Sequence, residues 1–310
     1  MKILDKFFAK ALACPNCKMP LLIENQNLLC KNSKCKLFNI TNLFLSGKPV
    51  LINFDNSILL KENFLHSKQT FEIKRNKNIF KKIFQGVNPI TISNIELIIN
   101  KINIKDSPKI LIIGGGEVGS GLNKLYKKYP DNICAFDIYN SNNIDFIADG
   151  HDIPIVSNYF DVIICQAVLE HVLNPKLIVE EIYRVLKDGG LVYAETPFMQ
   201  QVHEGSFDFT RFTESGHRYL FKNFELVNSG YTTGCGTSLI WSLSYFFTGI
   251  FRTKYAGRFC RVIFFWLKYF DYIIPYSFNI DGACGIYFLG KKVKNCIKDN
   301  DIISYYNGNQ

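Results

Sequence analysis

From Lys109 to Leu289 the chain alternates short apolar runs with stretches whose apolar positions recur at helical spacing. The runs predict strands over Lys109–Ile113, Ile133–Asp137, Ile144–Ala148, Phe160–Cys165, Gly190–Glu195, Phe224–Ser229 and Cys284–Leu289. The amphipathic stretches predict helices over Ser120–Lys128, Pro175–Leu186 and Glu214–Leu220. Strand and helix in alternation give an α/β fold with a mainly parallel sheet, because parallel neighbours need a crossover. The hop from Asp137 to Ile144 is too short for a crossover helix, so a loop is expected there.

Upstream, residues 1–57 form a cysteine-bearing unit that ends in the alternating segment Gly47–Phe54. Residues 58–107 form a Lys- and Asn-rich connector in which Thr91 is the expected N-cap of a helix over Ile92–Ile102. Residues 108–290 make the main domain, interrupted at 236–280 by an insertion dense in Phe, Tyr, Trp, Ile and Leu. The Asn/Lys-rich residues 291–310 are expected to be flexible. No apolar run reaches the roughly eighteen residues of a membrane-spanning helix.

The cysteines change this picture most. Cys14-Pro-Asn-Cys17 and Cys30-Lys-Asn-Ser-Lys-Cys35 put two thiol pairs on two turns, the layout of a tetrahedral zinc site. Four thiolates leave no open position, so the zinc reads as structural. Cys134, Cys165, Cys235, Cys260, Cys284 and Cys296 stand singly, mostly in apolar stretches. Grouped metal ligands beside isolated thiols fit a reducing compartment better than a disulfide framework. The start Met1–Lys10 lacks a secretory pattern, so a cytoplasmic protein is expected. A net charge of +9 describes either a solvated basic surface or one that meets an anionic partner: nucleic acid, a phosphorylated lipid or a nucleotide-linked sugar.

The first strand runs straight into Gly114-Gly-Gly-Glu-Val-Gly119, where backbone can approach a ligand closely. Asp137, at the end of the next strand, is placed to accept hydrogen bonds from ribose hydroxyls. Gly114, Gly116 and Gly119 also satisfy the dinucleotide fingerprint, so the turn by itself leaves NAD and S-adenosylmethionine both open.

Three downstream segments carry a resemblance: Ala148–Ile155, Tyr159–Val172 and Glu180–Leu191. In order and spacing they resemble class I S-adenosylmethionine-dependent methyltransferases over Lys109 to about Gly290. The resemblance implies a Rossmann-like seven-stranded sheet, mostly parallel, with the last strand antiparallel. It implies that Gly114 and Gly116 pass beside the methionine and ribose portions, with Asp137 on the ribose. Asp149 would bond the adenine amine with the Gly150 and His151 backbone, while Gln166 and His171 face the methionine end. Family members commonly carry an acid two places before the glycine turn, where this chain has Ile112; Glu117 is the residue expected to compensate. Asp161 reads as a turn organiser. The cysteine unit resembles small zinc-ribbon proteins that bind and activate certain methyltransferases.

Methyl transfer needs alignment and, for a hydroxyl acceptor, a base. The segment Thr196–Phe212 follows the fifth strand and offers His203 as base, Asp208 as its orienter and Arg211 as an anchor for an anionic substrate group. In the insertion, Arg252, Lys254, Arg258 and Arg261 lie between two apolar runs, which suits a lid, a dimer interface or a peripheral membrane contact through 239–275. The expected function is methylation of a small or lipid-linked acceptor, such as a glycan hydroxyl in envelope polysaccharide assembly, by a protein that is cytoplasmic or peripheral on the inner membrane. An RNA or protein methyltransferase and a non-catalytic adaptor are the alternatives. Nucleic acid is not the expected partner, since no RNA-reading aromatic-basic signature is present. Oligomeric state and acceptor identity are not encoded in any motif.

Overall fold

A computed structural model describes residues 6–24, 27–40, 43–65, 88–294 and 297–310. Cys296 and residues 66–87 of the connector lie outside the described residues. The chain divides into two compact units, the first made of residues 1–76, 95–165 and 176–192 and the second of 77–94, 166–175 and 193–310.

In the first unit the strands are β1 (Leu22–Glu24), β2 (Asn27–Leu29), β3 (Leu43–Leu45), β4 (Lys48–Val50), β5 (Ile110–Ile113), β6 (Ile133–Asp137), β7 (Phe146–Ile147) and β8 (Phe160–Gln166). β1 and β2 form a small antiparallel hairpin of their own, and the rest follow the order β8-β5-β6-β7-β4-β3. β5 lies parallel to both neighbours, with Ile112 opposite Ile164 and Ala135. All four residues of β5 are buried, as expected of a parallel strand covered on both faces. No helix stands between β6 and β7, as the short hop from Asp137 requires.

The cysteine unit does more than precede this sheet. Ser46 and Gly47 both take positive φ, the two-residue turn that matches strand twist, and fold β3 back on β4. β4 then joins β7 in parallel, Val50 opposite Ile147, so the sheet is longer than the expected seven strands. Val50, Ile52, Ile144 and Ile147 form one buried cluster behind this junction.

Helix α1 (Pro89–Ile102) begins three residues before the expected start. Pro89 suits a first helical position, and Asn88 accepts from Ile90 N at 3.0 Å, so Asn88 rather than Thr91 caps this end. α2 (Asn123–Lys128) starts later than expected, because Gly121 takes φ +83° and interrupts the turn before it. α3 (Pro175–Val185) matches its expected range to one residue.

β9 (Leu186–Pro197) runs through both units. In the second unit, β10 (Phe224–Thr233) pairs antiparallel with β11 (Gly285–Lys292) from Phe224 opposite Lys292 to Thr233 opposite Gly285, and the order is β10-β11-β9. α4 (Glu214–Leu220) precedes β10, with Thr213 accepting from Gly216 N as its N-cap. The insertion is helical: α5 (Cys235–Phe251), α6 (Lys254–Ile263), a 3-10 segment over Phe265–Tyr272 and α7 (Tyr276–Asp281). Asp299–Tyr305 form a 3-10 helix held by tyrosines, Tyr305 donating to Ser229 Oγ at 2.5 Å and Tyr306 to Asp281 at 2.8 Å.

Candidate functional site

The cysteine unit brings its four sulfurs together. Lys18 N donates to Cys14 O and Asn39 N to Cys30 O, each at 2.9 Å, which closes the two turns. Across them Cys14 Sγ stands 3.7 Å from Cys35 Sγ and Cys17 Sγ 3.5 Å from Cys30 Sγ. Sulfurs on a tetrahedral zinc at about 2.3 Å lie about 3.8 Å from one another. A disulfide would need about 2.05 Å. Asn16 Nδ2 and Leu37 N both donate to Cys35 Sγ at 3.3 Å, the polar support that a metal thiolate takes. The set fits a metal ion.

The glycine turn also belongs to the first unit. Gly114 takes φ +73°, a conformation that side chains disfavour, and turns the chain off β5. Gly116 N then donates to Asp137 Oδ2 at 2.8 Å, and a Cβ on Gly116 would lie 2.7 Å from that oxygen. Ile138 N donates to Asp137 Oδ1 at 2.7 Å, so backbone fixes both oxygens of the acid. Glu117 is exposed and Gly119 half-buried beyond the turn. Ile112 is buried in β5, packed as an ordinary core residue.

Asp149 caps the short 3-10 turn Gly150–Asp152. Its Oδ1 accepts from His151 N at 3.0 Å and faces His151 Nδ1 at 2.6 Å, and its Oδ2 accepts from Ser57 Oγ at 2.5 Å. Burial favours the neutral acid, but the bonds from His151 and Ser57 outweigh it and hold the carboxyl below its usual range. Ser57 is a residue that sequence reasoning missed, and its partner lies 92 positions away with no motif linking them. Asp161 does organise a turn: it accepts from Lys109 N at 2.9 Å and pairs with Lys105 and Lys187.

The remaining candidates lie in the second unit. Gln166 Nε2 donates to Glu195 Oε2 at 3.0 Å, and Glu195 Oε1 accepts from Thr91 at 2.5 Å and from Tyr193 OH. His171 Nδ1 donates to Phe207 O at 2.6 Å. Its ring meets that of His203 edge-on, with centroids 4.8 Å apart. His203 Nδ1 stands 3.3 Å from Asp208 Oδ2, and its backbone N donates to the same oxygen at 2.9 Å. Arg211 binds its own loop: Nε donates to Gln200 O and the two terminal nitrogens to Asp208, Thr210 O and Gln201 O. That guanidinium draws the Asp208 carboxyl down to about 2.

Glu170 is the second residue missed, because in Val168-Leu-Glu-His171 it reads as a surface acid before a candidate histidine. Its side chain is 1% exposed, and among the described residues neither carboxylate oxygen has a hydrogen-bond partner. Burial pushes its carboxyl up to about 8. The Nε2 atoms of His171 and His203 stand 3.6 and 3.9 Å from its Oε1.

Residues 113–194, which hold the turn, Asp137, Asp149 and Gln166, match the family model of a methyltransferase domain. Over these residues the chain carries a methyltransferase domain. The match runs from the last residue of β5 through the turn and the three downstream segments. Solved structures similar to this chain include an S-adenosylmethionine-dependent methyltransferase from Archaeoglobus fulgidus, 14% identical over 69% of this chain and 98% of that one, with TM-score 0.43. Others are coclaurine N-methyltransferase, at 16% over 65% and 72% with TM-score 0.38, and the [4+2]-cyclase SpnF, at 14% over 66% and 81% with TM-score 0.41. At these values none assigns a substrate. No curated protein matches the sequence.

Proposed function

We propose that this methyltransferase modifies a hydroxyl, such as a sugar hydroxyl, of a lipid-linked acceptor at an anionic membrane surface. The observation that carries the reading is the insertion. Phe246, Phe251, Phe259, Trp266, Tyr272 and Ile273 are all exposed, beside the exposed cations Arg252, Lys254 and Arg258. Between Cys235 and Pro275 the only acid is Asp271, and it is buried. Apolar rings beside unopposed cations match a layer of lipid phosphates over acyl chains. No helix of the described residues is long and apolar enough to cross a membrane, so contact would be peripheral.

Bound S-adenosylmethionine supplies an electrophilic methyl group. Asp137 and Asp149 hold its ribose and adenine, and Gly114, Gly116, Glu117, Gly119, Gly150 and His151 line its path. Gln166, fixed by Glu195, faces its methionine end. His203, oriented by Asp208, takes the proton that the acceptor hydroxyl gives up. The four cysteines hold a structural zinc.

Flotation tests the membrane reading. The purified protein should rise with vesicles containing anionic phosphatidylglycerol and stay behind with neutral ones. Phe259→Glu, an exposed position, should lower the bound fraction several-fold. Absence of flotation on anionic vesicles, or self-association that covers the insertion, overturns it. Labelled S-adenosylmethionine then identifies the acceptor among lipid-linked and water-soluble glycans.

A further inference from the structure

His171, His203 and Glu170 turn their polar atoms toward one another. The Phe207 carbonyl only accepts, so His171 Nδ1 carries the ring proton and Nε2 keeps a lone pair. His203 Nδ1 stands 3.3 Å from Asp208 Oδ2. The Nε2 atoms of the two rings face Glu170 Oε1, at 3.6 and 3.9 Å. Among the described residues neither carboxyl oxygen of Glu170 has a hydrogen-bond partner. A single proton satisfies one such contact, whereas a divalent cation satisfies all three.

We infer that Glu170, His171 and His203 bind a divalent first-row transition metal, separate from the thiolate centre. The three side chains offer ligand atoms that all lie within 4.8 Å of one another. A cation about 2.1 Å from each would hold them about 3.4 Å apart, so the two contacts to Glu170 shorten by a few tenths of an ångström and the widest pair by up to about 1.4 Å. Two imidazoles and a carboxylate suit zinc, cobalt or manganese rather than magnesium. Both imidazoles already have the outer support that metal-bound histidines take: a backbone carbonyl for His171, a carboxylate for His203. Three protein ligands leave at least one coordination position open, the hallmark of a reactive rather than a structural site.

This deepens the reading of His203. An acceptor hydroxyl at the open position would be acidified by the cation and lose its proton to solvent water, with His203 as a ligand rather than the proton acceptor. A simple base at His203 has no need of Glu170; a metal site does.

Cobalt(II) titration of the full-length protein, its thiolate zinc retained, separates these cases. The expected result is one added equivalent of cobalt per chain, with visible d–d absorption and none of the charge transfer that thiolate ligands give. Glu170→Gln, which is close to isosteric and removes a buried charge, should weaken this binding tenfold or more. His203→Ala, on a surface loop, should do the same. No added equivalent, or an equivalent that survives both substitutions, overturns the site. S-adenosylmethionine affinity is measured on the same samples: cofactor binding in a protein that takes up no added cobalt overturns the metal site and leaves the methyltransferase reading in place. With the site confirmed, Glu170→Gln should lose turnover while keeping cofactor affinity.

Discussion

Replacing Gly116 by Ala tests the proposed hold of Asp137 on the cofactor ribose. Gly116 has no positive φ, so Ala is compatible with the backbone and the fold should persist. The added methyl would lie 2.7 Å from Asp137 Oδ2 and 3.3 Å from Asp137 Cγ, closer than carbon and oxygen tolerate, and the carboxylate must swing away. Doing so breaks the 2.8 Å bond from Gly116 N and moves the acid off the ribose position. A hydrogen bond to a charged group is worth roughly 1.5–3 kcal/mol. Cofactor affinity should therefore fall about 10- to 100-fold, since each tenfold step is about 1.4 kcal/mol. Isothermal titration with S-adenosylmethionine measures this, and thermal denaturation checks that Tm moves little. Gly121→Ala is the counter-experiment: at φ +83° it should cost roughly 1–2 kcal/mol of stability with a smaller effect on affinity. Wild-type affinity in Gly116→Ala would show that Asp137 does not hold the cofactor.

Metal removal should act on stability, because the small cysteine unit folds around its ligands. A strong chelator or Cys17→Ser should release one zinc per chain and lower Tm, and a protein that purifies with its four cysteines unmetallated at full stability would refute the assignment. Asp161→Asn tests the buried carboxylate under β8. Burial favours its neutral form, but Lys105, Lys109 N and Lys187 outweigh that and depress its pKa below the usual value. A depressed carboxyl stabilises the fold above its unfolded pKa of about 4 and loses that contribution as pH falls through the folded value. The variant should thus be less stable by about 1–3 kcal/mol near neutral pH, and the gap should close in acid. A gap that stays constant down to the acid transition would contradict this.

The parallel core was legible because its strands are continuous apolar runs: nothing but a doubly covered strand explains Ile110-Leu-Ile-Ile113 or Phe160–Cys165. Where local chemistry competed, boundaries shifted, as Gly121 delayed α2 and Pro89 advanced α1. The same locality explains what was missed. Alternation over Gly47–Phe54 announced a strand but not Ile147 as its partner, since register is written in tertiary packing. His203, Asp208 and Arg211 stood out as a group, yet spacing could not reveal that Arg211 turns back on Asp208 and its own loop carbonyls. Glu170 is the sharpest case. One residue from a candidate histidine, it carries no sequence mark of burial, and what gives it meaning is the loop from His203 to Arg211 that returns beside it. Phe209 N donates to the Glu170 carbonyl at 2.8 Å, which ties that loop to the backbone of the acid itself. A buried acid facing two imidazole nitrogens has at most one proton to share between them, whereas a divalent cation meets all three, and that is the reason to look there for an ion.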